Sequence, residues 1–253
     1  MGRTGSLAYG AYLLLIVVPF GCMASLKTWI CDFRDIIRPR ICPICGSPLN
    51  STEQKLCSCC LLQLPYVGKE DFYDNPSSRL FWGRIPVERV YSFIRYRHDS
   101  ESHNLLTSLK YRHRPDLGVW LGELIARELL PRDFFEDVDC IVAVPLHWRR
   151  HLHRGYNQSI ELARGISKTT GIPLLRRVVE RVRNNKSQTR MSTHERMQNT
   201  QHLFCARSSL SGRHVLLVDD VLTTGATLLA CAQAIMATSE DIRISILTLA
   251  RAS

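Results

Sequence analysis

The sequence predicts an α/β fold, a mostly parallel, doubly wound sheet with a small zinc-binding module on its N-terminal side. Three observations predict it. Apolar strand-like runs alternate with amphipathic helical runs from residue 85 onward. One of those runs, VDCIVAVP, is apolar throughout and ends in proline, which suits a strand covered on both faces. Five of the ten cysteines crowd into residues 42–60, a cluster and not the spread of a disulfide framework.

The elements follow in order. Residues 1–22 form an apolar N-terminal extension; Thr4 to Leu26 carry no charge and include LLLIVVPF. Ala11 to Phe20 is short for a bilayer crossing. Residues 1–22 are either a mis-assigned start or a membrane anchor; we favour Met23 as the start, with which a cytoplasmic protein with no stable membrane span is expected. Residues 23–65 are expected to form the zinc module, entered through a stretch with Trp29, Ile30, Phe33, Ile36 and Ile37 at helical spacing. Residues 66–84, rich in turn formers and charge, are expected to connect it to a main domain over 85–253. There ERVYSFIRYRH reads as a strand and SHNLLTSLKY as a short helix. DLGVWLGELIARELL places Leu117, Leu121, Leu124, Ile125 and Leu129 on one helical face. After VDCIVAVP, a helix is expected over NQSIELARGISKTTG, stopped by Gly171, and then a strand over PLLRRVV. Residues 183–200 have no apolar face and read as a mobile loop. RHVLLVDD, GATLLACAQAIMAT and IRISILTLAR complete the domain as strand, helix and strand.

Composition narrows the partners. The chain has 253 residues, 45% hydrophobic and 22% charged, with a net charge of +10 and no fixed-period repeat, which excludes solenoids and favours anionic ligands. The segment Val215–Thr227 shows where such an anion would sit. Val215 to Val218 form a buried strand, and Asp219 and Asp220 fall where it ends, at the carboxyl edge of the sheet where open α/β folds place ligands. Val221, Leu222, Thr223, Thr224, Gly225, Ala226 and Thr227 then turn into a helix whose N–H groups and hydroxyls can wrap a phosphate. Gly225 is expected to let the backbone approach that phosphate. The two carboxylates suit the hydroxyls of a ribose and can help to hold Mg²⁺. The pattern therefore points to a ribose 5-phosphate.

The cysteines point to metal. CPICG and CSCC give two C-x₂-C pairs, Cys42 with Cys45 and Cys57 with Cys60. Four thiolates close a tetrahedral site, so the zinc is expected to be structural. Cys59 would break the two-residue spacing and is set aside.

VLLVDDVLTTGAT resembles the phosphoribosyl-pyrophosphate motif of type I phosphoribosyltransferases. CPICG with its second cysteine pair, LKYRHRPDLGVWLGELIA, VPLHWRRHLHRGYNQSIELAR and SQTRMSTHERMQNTQHLF extend the likeness to the ComF/GntX family, associated with competence and DNA uptake. The resemblance implies the type I phosphoribosyltransferase fold and 5-phosphoribosyl-1-pyrophosphate as ligand, bound with Mg²⁺. It places Leu146, His147, Arg149 and Arg150 on a pyrophosphate loop, alongside Arg154, Asn157 and Gln158. It also places Lys186 and Arg190, with Gln188 and Arg196, on a lid over residues 183–200. Lys110 and Arg112 are further candidates. The implied reaction is transfer of the phosphoribosyl group to a nitrogen acceptor base that the sequence does not name. The alternative is a non-catalytic phosphoribosyl-pyrophosphate-binding accessory that contacts single-stranded DNA or DNA-uptake proteins.

Overall fold

The structure, a computed structural model, describes residues 40–98, 100–111, 114–146, 152, 154–182 and 203–252. In chain order its elements are α1 (Ser58–Gln63), β1 (Val90–Tyr96), α2 (Glu101–Tyr111), α3 (Pro115–Leu129), β2 (Cys140–Ala143), α4 (Gln158–Thr170), β3 (Leu174–Leu175), β4 (Val179–Arg181), β5 (Phe204–Ala206), β6 (His214–Leu222), α5 (Ala226–Met236) and β7 (Arg243–Ala252). Among the described residues no helix is long and apolar enough to cross a membrane. The apolar extension, residues 1–22, lies outside the described residues, as does the 183–200 loop.

Five strands form one sheet in the order β1-β7-β6-β2-β3, every neighbouring pair parallel. Alternation along β6 explains its two covered faces. Leu216 and Val218 join α2, α3 and α4 in one core, while Val215 and Leu217 join α5 and the β4–β5 pair in another. Sequence and structure agree closely in the helices. Pro115 opens α3, and Leu117, Leu121, Ile125 and Leu129 are buried while Leu124 is partly covered. Asn157 caps α4 by accepting from Ser159 N, and Gly171 ends it with φ 77°.

The expected strand PLLRRVV is two. Leu174 and Leu175 pair with β2, then Arg177 takes φ 61° and turns the chain out of the sheet, so that Val179–Arg181 pairs antiparallel with β5. The 66–84 segment does more than connect. Phe81 is fully buried, and Asn75 accepts from the backbone of Ser77 and Ser78 while donating to Val90 O. Nor does the cysteine-bearing segment stand apart: Ile41–Ser253 is one compact unit, and Cys42, Leu56, Cys60 and Leu64 share a core with α2 and α3.

The α3–α4 contact is backbone to backbone. A Cβ on Gly122 would lie 2.1 Å from Leu162 O, and one on Gly165 would lie 2.0 Å from Val119 O. Alanine normally gains helix propensity over glycine, about 1 kcal/mol in an exposed interior. Here the overlap dominates, and Gly165→Ala is expected to lose about 2–3 kcal/mol in urea unfolding. A neutral or stabilised variant would show that the helices do not cross this closely.

Candidate functional site

The connections out of β2 and β6 diverge. β2 leads through α4 to β3 on one side, and β6 leads through α5 to β7 on the other. Between two such strands an open parallel sheet leaves a crevice at its carboxyl edge. β2 stops pairing with β6 at Ala143 and Val218, whereas β6 runs on against β7 to Leu222 and Arg251. Asp219 and Asp220 therefore lie on β6 beyond the end of β2, with one flank open. Along that flank is a cleft of about 230 Å³, lined by Asp219, Asp220, Val221, Thr223 and Thr227 from the β6–α5 segment and by Leu146 after β2.

The two carboxylates occupy different surroundings. Asp219 is buried, and its Oδ1 accepts from Ser159 Oγ at 2.8 Å and from Asp220 N at 2.9 Å. Burial, and then the charge of Asp220, push its carboxyl up to about 7, partly offset by the Ser159 hydrogen bond. Asp220 is paired with Lys110 Nζ at 3.2 Å. Ser159 is itself held in place: Asn157 Oδ1 accepts from its N–H, and Asn157 Nδ2 donates to Val144 O at 2.9 Å. Thus the cap of α4, the end of β2 and the acidic pair form one connected unit.

A raised carboxyl has a definite consequence for stability. Between the ordinary Asp value near 3.8 and about 7, the folded state binds a proton that the unfolded state has released. The contribution of Asp219 is complete below the lower value and is lost as pH rises through the upper one. Asp219→Asn is therefore expected to be more stable than the parent at pH 8, and its advantage should grow by roughly 1–4 kcal/mol between pH 4 and pH 8. Parallel pH–stability curves for the two proteins would contradict this.

The rest of the 221–227 segment divides by role. Thr223 and Thr224 are exposed, Leu222 is buried, and Ala226 begins α5. Gly225 has φ 73°, a left-handed cap, and a Cβ there would meet the Phe81 ring at 3.3 Å. Its requirement for glycine thus comes from the turn and from Phe81. Arg154 and Arg181 also line the cleft. His147, Arg149, Arg150, Lys186 and Arg190, like Arg112, Gln188 and Arg196, lie outside the described residues.

At the other end of the chain the Sγ atoms of Cys42, Cys45, Cys57 and Cys60 all lie within 4.8 Å of one another, and Cys45 and Cys57 are 3.7 Å apart. A tetrahedral zinc with bonds of about 2.3 Å separates its sulfurs by about 3.8 Å, so the four fit the ion. The first knuckle turns at Gly46 (φ 77°), whose N–H reaches Cys42 O at 2.9 Å. In the second, Cys57 Sγ caps α1 by accepting from Cys60 N. Ser47 hydrogen bonds, from the side chain first, bring the Cys45 thiol down to about 6, while burial raises that of Cys60. Cys59 is exposed and outside the group. The segment is tied to α2 by Ser108 Oγ donating to Pro43 O, and to α3 by Lys55–Asp116 and Trp120–Gln54 contacts.

A sequence profile for the phosphoribosyl transferase domain matches residues 154–252, which contain Ser159, Asp219, Asp220 and the helix cap at Gly225. DNA utilization protein YhgH of Salmonella typhimurium is 29% identical over 209 residues, covering 78% of this chain and 91% of that one. Competence protein F of Haemophilus influenzae is 39% identical over 93 residues, 36% of this chain and 41% of its own. Competence protein ComFC of Bacillus subtilis is 24% identical over 234 residues, covering 92% and 84%. The chain thus carries a match to the phosphoribosyl transferase domain and is similar to competence and DNA utilization proteins.

Several cleft residues carry a weaker signal in the sequence. Ser159 is one, and its signal was present: it sits in the first turn of a helix that follows a buried strand, where side chains face the sheet edge. Arg181 is another. It closes β4 and lines the cleft. Phe81 carried no readable signal, because its contact with Gly225 joins positions 144 residues apart (225 minus 81).

Proposed function

We propose that this protein binds 5-phosphoribosyl-1-pyrophosphate with Mg²⁺ in the β2–β6 cleft and transfers the phosphoribosyl group to a nitrogen acceptor. The carrying observation is the Asp219–Asp220 pair beyond the end of β2, one residue after another on β6 and directly ahead of the cap of α5. Carboxylates accept the two ribose hydroxyls, while Thr223, Thr224, Thr227 and the N–H groups opening α5 receive the 5-phosphate. Arg154 and Arg181, with His147, Arg149, Arg150, Lys186 and Arg190, supply positive charge for the pyrophosphate. Asp219 and Asp220 offer the hard oxygen ligands that would help to hold Mg²⁺, which would supply charge neutralisation at the pyrophosphate. A nitrogen lone pair forms the bond to C1 as the C1–O bond breaks, with its electron pair leaving on pyrophosphate. Orientation and charge neutralisation carry most of the work. Bound zinc would hold the cysteine segment folded and take no part in the reaction. The setting we infer is DNA uptake or utilisation, in keeping with the names of the relatives.

Those names also favour a second reading, a phosphoribosyl-pyrophosphate-binding accessory that contacts single-stranded DNA without turnover. Pyrophosphate release from Mg²⁺-phosphoribosyl-pyrophosphate, assayed with added nucleobases, separates the two. Release above the uncatalysed background supports the transferase. Binding to single-stranded DNA that weakens steeply with salt, with no release, supports the accessory.

A further inference from the structure

The turn that opens α5 has little of its own to hold it. Gly225 caps the helix at φ 73° and supplies no side-chain hydrogen bond. Glycine has the most backbone freedom to lose, so a turn built on it keeps one geometry only where its surroundings impose it. Thr224 Oγ1 accepts from Ala226 N at 3.5 Å, too long to fix the turn firmly. Packing supplies the constraint. A Cβ on Gly225 would stand 3.3 Å from two carbons of the Phe81 ring and 3.6 Å from Leu80 Cβ. Phe81 is fully buried, in the same core as Leu222 and Leu228 on either side of the turn.

The 66–84 segment that carries Phe81 is itself anchored to the sheet. Asn75 Nδ2 donates to Val90 O, at the start of β1, at 2.8 Å. Ser77 Oγ lies 3.1 Å from Ser92 Oγ on β1, which lies 2.8 Å from Thr248 Oγ1 on β7, and all three residues are buried. Arg251 Nη1 on β7 donates to Ser77 Oγ at 3.2 Å. The backbone then closes on both sides of the ring, with Phe81 N donating to Ser78 O at 2.9 Å and Phe81 O accepting from Arg84 N at 3.0 Å. Buried polar networks satisfied in this way are rigid. A rigid element therefore holds an aromatic ring against the glycine turn, and it lies outside residues 154–252, the span of the domain match.

We infer that Phe81 is a positioning residue for the 5-phosphate, holding the Gly225 turn so that the N–H groups opening α5 converge on one phosphate position. The inference rests on the donor reading above. Phe81 is not among the residues lining the cleft, so it acts through the turn. Hydrogen bonds weaken steeply as distance and angle depart from their optimum, and a turn free to shift would grip a phosphate less tightly. The pyrophosphate end, with Leu146, Arg154 and Arg181, is built on other segments.

The two ends are tested separately. Ribose 5-phosphate and Mg²⁺-pyrophosphate are each titrated into the full chain by calorimetry, at a temperature where far-ultraviolet circular dichroism shows every variant folded. Phe81→Leu, which shortens the contact and keeps the core apolar, should weaken ribose 5-phosphate by about fivefold or more and leave pyrophosphate within about twofold. Phe81→Met, whose longer flexible chain can fill the space against Gly225, should show a smaller loss of the same selectivity and guards against a Phe81→Leu that does not fold. Unchanged ribose 5-phosphate affinity in the folded variants overturns the role of Phe81. So does an equal loss for both ligands, which marks general loosening of the domain. A parent protein that binds pyrophosphate alone removes the phosphate turn from the site and Phe81 with it. If the parent binds neither ligand, the donor reading itself falls.

Discussion

Cys60→Ala is expected to release the bound zinc and lower the thermal midpoint by about 10 °C or more, a shift that 3–5 kcal/mol produces in a chain of this size. The reason is where the four thiols sit. Cys42 and Cys60 are buried, and Leu56 and Leu64 pass their side chains into the core shared with α2 and α3. Structural zinc contributes roughly 10–16 kcal/mol to peptides that cannot fold without it. The whole of that does not fall on this domain, because the sheet and its helices keep a core of their own. What is lost is the cover over one edge of that core. The effect should also reach the cleft. Ser108 donates to Pro43 O in the first knuckle, and Lys110, two residues along the same helix, pairs with Asp220. Donor affinity should therefore drop several-fold with the metal. Zinc content by atomic absorption, a melting curve and a donor titration on the same sample test all three links. A metal-free parent protein with an unchanged midpoint would dismiss the zinc assignment.

The second large effect is expected at the acidic pair. Asp219→Ala combined with Asp220→Ala should weaken Mg²⁺-phosphoribosyl-pyrophosphate binding by about 100-fold or more. Hydrogen bonds to charged groups contribute about 1.5–3 kcal/mol each, and every 1.4 kcal/mol is tenfold. Two opposing terms reduce the loss. Removing two negative charges makes the cleft more attractive to a polyanion, and Lys110, released from Asp220, is free to approach the phosphates. Neither restores acceptors for the ribose hydroxyls. The same double variant should fold at least as stably as its parent near pH 8, because Asp219 is buried and its carboxyl is raised to about 7. Lost binding in a protein of undiminished stability is the signature of a functional pair. Donor binding within threefold of the parent would remove Asp219 and Asp220 from the site.

The pair also illustrates why local patterns were readable. Strand runs, helix faces, the Asn157 and Gly171 caps and the C-x₂-C pairs are set by neighbours within a few residues, through side-chain alternation, helical periodicity and chain stiffness. Each could be read from VDCIVAVP, NQSIELARG or CPICG without knowing what lay opposite. The division of PLLRRVV into β3 and β4 was less legible, since it depends on Arg177 leaving the sheet at a left-handed φ that no composition rule requires. Gly225 was found for an incomplete reason: its sequence context suggested a phosphate, and its structure adds the Phe81 ring.

By itself, the sequence determined the class of fold, the four cysteines that cluster and the run of residues that forms one wall of the cleft. Only the tertiary structure decided that Asp219 is the buried carboxylate and Asp220 the one paired with Lys110, that Ser159 and Arg181 join them, and that the cysteine segment shares the core of the main domain. The physical reason is separation along the chain. A strand or a knuckle is specified by residues that touch their near neighbours, but the protonation of a carboxylate depends on what burial and packing bring from α2 and α4. Those contacts exist only once the sheet has closed its crevice between β2 and β6.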